Sequence, residues 1–161
     1  MKNFLLVAIL VVSTSACTGT IYNKARQGVT GLDISLKGAA LGFDAYDAKH
    51  QMDIAKDVKA KCAAQVPPPA DLIACQVATG KPLLEEWDGA FKKVKMGFLA
   101  AETALGAAAL AIDAAEALNS GQSVLDTIMA EAKTPIKDLL NLLAAAGMNL
   151  PPVLSTAVGG V

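Results

Sequence analysis

The chain is predicted to be all-α, a bundle built on two long antiparallel helices, and three observations predict it. Apolar residues recur at three- and four-residue steps along two long stretches, the spacing of a single helical face. Apolar residues make up 53% of the chain and aromatic ones only 4%; Ala and Leu supply most of the rest, a composition that favours helix. Prolines gather in a few places, Pro67-Pro68-Pro69 and Pro151-Pro152 above all, and punctuate the pattern where helices should end.

The chain opens with a different signal. Lys2 is followed by an unbroken apolar run, Phe4 to Val12, too short to span a bilayer. Small residues Ser13-Thr14-Ser15-Ala16 then precede Cys17. A basic start, an apolar stretch of this length and a small-residue site describe a secretory signal peptide over 1–16. Thr14-Ser15-Ala16-Cys17 resembles the lipobox of bacterial lipoproteins, although Thr14 stands where that family prefers Leu, Val or Ile. The resemblance implies cleavage before Cys17 and acylation of its sulfur. The alternative is ordinary cleavage after Ala16, leaving a bare thiol. Thr18, rather than Asp, follows the cysteine, and for this family that implies the outer membrane, facing the periplasm. The bilayer would be met through acylated Cys17, since two or three acyl chains hold a protein far better than one.

Residues 17–30 read as a tether containing Gly19 and Gly28 and no sustained period. A first long helix is expected over about 31–64. It carries one stripe of Leu32, Leu36, Ala39, Phe43 and Tyr46, and a second of Ile34, Leu41, Ala45, Ala48, Met52 and Ala55. Two stripes on roughly opposite sides predict two neighbours and hence a central position. The proline run ends this helix. Asp71 to Ala78 should be a short helical segment, Thr79-Gly80-Lys81 a turn, and Pro82 the first residue of a second long helix over about 82–118.

That helix has the cleanest pattern in the chain. Trp87, Phe91, Val94, Phe98, Ala101, Leu105, Ala108, Ile112 and Ala115 step by four and three, a coiled-coil-like seam in which alanines alternate with larger residues. Such a seam closes within one chain or between chains, so a homo-oligomer is among the partners the pattern allows. Residues 96–112 are apolar enough to suggest a membrane span, but Glu102 interrupts them, and a carboxylate in a bilayer is costly.

Asn119-Ser120-Gly121 should break the chain. Two shorter helices are expected to follow: Val124 to Lys133, with Val124, Leu125, Ile128 and Met129 inward, and a second beginning at Thr134-Pro135, with Ile136, Leu139, Leu140 and Leu143 inward. Gly147 is a natural stop. The helical domain therefore spans 31–147, and 148–161 reads as a flexible tail.

Removing Lys2 with the leader leaves 13 basic residues against 15 acidic. That balance does not fit a nucleic-acid surface, which would be strongly basic. Lys92-Lys93-Lys95 is the one tight basic cluster and reads as a solvated helix face. With Cys17 acylated, Cys62 and Cys75 remain as a pair, and export favours their oxidation to a disulfide.

Catalytic signals are weak. His50, the only histidine, shares a helix with Asp53 and Asp57, yet metal sites of this kind gather more His or Cys. No nucleophile elbow, phosphate loop, dinucleotide fingerprint or C-x-x-C is present. Glu85-Glu86 reads as acidic residues at a helix start rather than a catalytic pair. Trp87, Phe91 and Phe98 have core spacing; the alternative for them is a pocket for an acyl chain. No catalytic residue, cofactor or metal ligand is therefore assigned. The expectation is a non-enzymatic envelope lipoprotein that acts as a scaffold or binds an unknown envelope protein. The alternatives are a membrane-active or lysis-related protein, or a carrier of an apolar ligand between helices.

Overall fold

In a computed structural model of the chain, residues 20–65 and 70–148 are described. The leader, Cys17, the proline run 67–69 and the tail from Asn149 lie outside the described residues. The rest forms three α-helices: α1 (Ile21–Ala63), α2 (Leu72–Ala117) and α3 (Gln122–Ala145). Among the described residues there is no strand.

The all-α expectation holds, and the two long antiparallel helices are present, but their limits and number differ from those expected. α1 begins ten residues early, inside the segment read as a tether. Tyr22 and Val29 are buried, and Tyr22 Oη donates to the Ser120 carbonyl at 2.6 Å. Arg26 crosses to α2, donating to Asp113 at 2.8 Å and also to Glu116. Gly28, taken as a mark of flexibility, is instead a point of close approach. A Cβ there would stand 3.1 Å from the Met129 Cε of α3.

α2 is likewise longer at its start. Asp71 caps it, accepting from the backbone N–H groups of Ile73 and Ala74. The helix then runs through Gly80 and Pro82, where a turn and a new start were expected. Gly80 is buried because Val58 of α1 lies against it, 3.6 Å from where its Cβ would be. An interior proline costs about 3 kcal/mol. Burying one large apolar side chain returns about 2 kcal/mol, and Trp87, Val94 and Phe98 follow in quick succession on this helix. Packing therefore carries the helix across a local break. The same holds for Pro135, which lies inside α3, so the two short C-terminal helices are one. Leu125, Ala132, Ile136, Leu139 and Leu143 are its buried seam, while Val124 is exposed.

The stops were legible. Asn119 is left-handed, with φ 51°, and the Ser120 N–H reaches back to the Ala115 carbonyl at 2.8 Å. Gly147 has φ 76°, and the Met148 N–H reaches the Leu143 carbonyl at 3.1 Å. Both are Schellman-type endings, in which a left-handed residue lets the next N–H pair an orphan helix carbonyl.

The central element is α2, not α1. Its single seam, Trp87 to Ala115, is buried except at half-buried Phe91, with α1 on one flank and α3 on the other. α1 presents Leu32, Leu36, Ala39 and Phe43 to it. The second stripe of α1 faces outward instead: Ile34, Leu41 and Met52 are all more than half exposed. α3 packs closely at Gly97, where a Cβ would meet methyl groups of Leu139 and Leu142 at 3.1 Å.

At 24 residues, α3 is about half as long as α2, at 46. It ends beside Tyr46, whose hydroxyl lies 3.9 Å from a Cβ built on Gly147. Past that level, among the described residues, α1 and α2 continue as a two-helix arm. Cys62 and Cys75 close its far end in a disulfide with Cα atoms 6.0 Å apart.

Candidate functional site

The base of the arm is where the bundle thins from three helices to two, and this is the site with the most chemistry in it. A groove of about 260 Å³ opens there, lined by Asp47, Gln51, Leu84, Trp87, Asp88 and Phe91. Heptad spacing on both helices produces it. Phe43, Tyr46 and His50 step by three and four along α1, while Trp87, Phe91 and Phe98 step by four and seven along α2. Where the two seams meet, the rings stack in a column. The Phe43 and Phe91 rings lie 4.9 Å apart and nearly parallel, and Phe43 also meets Phe98 at 5.8 Å. The Trp87 ring lies 4.0 Å from that of His50 and 5.8 Å from that of Tyr46.

One polar contact fixes the column. The Trp87 indole N–H donates to Asp47 at 2.7 Å. The same carboxylate accepts from the Gln51 amide at 3.1 Å. Asp47 is thus held in place from both helices at the mouth of an aromatic surface. On the opposite lip Asp88 pairs with Lys92 at 2.7 Å, and that hydrogen bond holds the Lys92 ammonium above its ordinary range. Lys95 Nζ sits 4.5 Å over the Phe91 ring, a cation–π geometry. The lysine cluster is therefore divided, with Lys92 on a carboxylate and Lys95 on a ring.

No protein-family model, curated protein or solved structure matches the chain.

The remaining candidates fall into place around the groove or away from it. His50 lies tilted against Trp87 and stacked on Tyr46, and Asp53 pairs with Lys49 at 3.3 Å. Among the described residues no group of three or more His, Cys, Asp and Glu side chains converges as a metal site would require. Glu85 and Glu86 stand well inside α2, not at its start, and Glu85 lies 3.8 Å from Lys81. Cys62 is buried at the arm tip, joined to Cys75. Cys17 lies outside the described residues.

Sequence reasoning missed Asp47. Its only signals were its place beside Tyr46, one position off the apolar stripe, and Gln51 four residues on. The groove residues include no Ser, Thr, Cys or Lys to serve as a nucleophile. What the arrangement offers is a flat apolar surface rimmed by carboxylates, suited to holding an apolar or cationic side chain.

Proposed function

We propose that the protein is a non-enzymatic scaffold of a bacterial envelope, fastened to the outer membrane by an acylated Cys17 and projecting its helical body into the periplasm. The arm is the part that binds a protein partner. One observation carries this reading: among the described residues, the arm is stapled at its tip yet leaves several large apolar side chains uncovered. Leu72, Ile73, Val77, Leu83 and Leu84 are all exposed, Ile73 at 73%, and they lead into the groove at Trp87. Runs of large exposed apolar residues are the mark of contact surfaces. A disulfide that stiffens such a surface lowers the entropy lost on docking. Export also accounts for the oxidised pair, since disulfides persist outside the cytosol.

The test has two parts. Intact mass of the full-length product from an envelope fraction should show loss of residues 1–16 and acylation at Cys17. A bare thiol, or a retained leader, defeats the anchor. Substitutions Leu84→Glu and Ile73→Glu should then abolish co-purification of a partner with the native complex while the fold is kept. Unchanged co-purification defeats the arm as the docking site.

A second reading has its own observation. By length and composition α2 is the one described helix able to cross a membrane, though it keeps a third of its most apolar window buried. A membrane-active protein would release dye from vesicles; tight vesicles favour the scaffold. For an apolar-ligand carrier the groove is less apt, because Asp47 and Asp88 both stand on its rim.

A further inference from the structure

The outward face of α2 changes character abruptly at Met96. Before it, Lys81, Glu85, Lys92 and Lys93 face solvent, as an exposed helix requires. After it, for the rest of the helix, that face carries no charge. Met96, Ala100, Thr103, Ala107, Leu110, Ala114 and Ala117 step by four and three, and Ala100, Ala107 and Ala114 are each followed by an inner-seam residue one position on. Met96, Leu99, Leu110 and Leu118 are each at least 64% exposed.

This outer seam copies the inner one. Inside, Ala101, Ala108 and Ala115 alternate with Phe98, Leu105 and Ile112, and two helices cover them. Outside, Ala100, Ala107 and Ala114 recur at the same seven-residue period with Met96, Thr103 and Leu110 between them. Heptad spacing with alternating small and large side chains fits another helix, whose side chains enter the gaps. A lipid surface imposes no such period. By contrast, the outward side of α3 presents Gln122, Asp126, Glu131, Lys137 and Asp138, as a wet face should.

Charge selects the partner. On the flank of the outer seam Lys95 lies near one end and Glu102 follows it, while Asp113 and Glu116 lie near the other end, where they share the single charge of Arg26 and keep a net negative charge. We propose that α2 packs through this seam against α2 of a second copy of the chain, antiparallel, about a two-fold axis near residue 105. That register sets Met96 against Ala114 of the second copy, Ala100 against Leu110, and Thr103 against Ala107, so larger residues meet smaller ones in every layer. It also places Lys95 between the levels of Asp113 and Glu116 of the second copy. In antiparallel helices the same flanks meet, so the opposite charges come together twice. A parallel, in-register pair would turn like flanks away from each other and leave Lys95 about 27 Å along the axis from the level of Asp113. The inference goes beyond the scaffold reading and does not rest on it, because it uses only this face of α2.

The test uses the full-length chain. Sedimentation in mild detergent should give a dimer. Leu110→Lys should weaken it at least about a hundredfold by burying a charge in each copy. Lys95→Glu should weaken it roughly three- to tenfold through two rim pairs. Lys137→Glu on α3 should leave it unchanged, and helical circular dichroism should be kept throughout. A monomer at about 100 μM, or a dimer indifferent to Leu110→Lys, overturns the proposal. In cells, a benzophenone side chain placed at Ala107 should yield a covalent product of doubled mass. A cross-link to lipid or to a different protein overturns it.

Discussion

The indole N–H of Trp87 and the carboxylate of Asp47 lie 2.7 Å apart, joining α2 to α1 where the third helix ends. Trp87 is 9% exposed, so this one side chain supplies both the buried ring and the polar tie at the base of the arm. Trp87→Phe keeps most of the ring contact and loses the hydrogen bond. It should lower stability by about 1 kcal/mol, and Trp87→Ala by about 3 kcal/mol or more. Urea midpoints of the two variants measure the difference.

Reduction of the Cys62–Cys75 disulfide should weaken the arm specifically. Closing a loop of this size contributes about 3 kcal/mol by the chain-entropy account. Thermal unfolding with and without reductant should show the loss. Amide exchange should rise in residues near Val58 and Gly80 and stay low around Leu36 and Ile112.

Two glycines should respond in opposite directions. Gly38 is exposed in α1 with nothing within 4 Å of a built Cβ, so Gly38→Ala should stabilise by about 0.5–1 kcal/mol. Gly97 faces methyl groups of Leu139 and Leu142 at 3.1 Å, so Gly97→Leu should force α3 away and cost about 1–3 kcal/mol. Guanidinium midpoints of both variants decide it.

Lys37 and Lys92 are held above their ordinary value of 10.5, chiefly by hydrogen bonds to Asp33 and Asp88. A base whose folded value is raised contributes stability that is fully present below its unfolded value and lost as pH climbs through the folded one. These two pairs should therefore leave the thermal midpoint unaffected below about pH 10 and lower it above about pH 10.5. The double variant Lys37→Gln, Lys92→Gln should show a shallower alkaline decline than the parent.

Most of the inner seam could be read from spacing, because a heptad run such as Val94 to Ala115 has one geometrical solution and the bundle adopts it. The stops at Asn119 and Gly147 were equally legible, since left-handed residues end helices for local reasons. The failures share a cause. Gly28, Gly80, Pro82 and Pro135 look like breaks when judged by backbone preference alone, and each is overridden by a neighbour in space: Met129 at Gly28, Val58 at Gly80, and the buried seams that run past both prolines. Nor did spacing reveal which of two stripes on α1 would be covered. Leu36 and Ile34 belong to equally regular patterns, and only the position of α2 decides between them. The Asp47 contact was invisible because it joins residues 40 apart in sequence.

Each helix of this bundle lies against the next one along the chain, and only four residues, Leu118 to Gly121, separate α2 from α3. Across that turn little loop must be closed before apolar contact begins to repay the search, whereas α1 reaches as far as Ser120 from Tyr22, 98 positions away. The α2–α3 hairpin should assemble early, with α1 docking onto a surface already formed. Stopped-flow refolding of the oxidised chain would then complete within milliseconds, leaving the Ala-rich stretch only a brief interval unprotected.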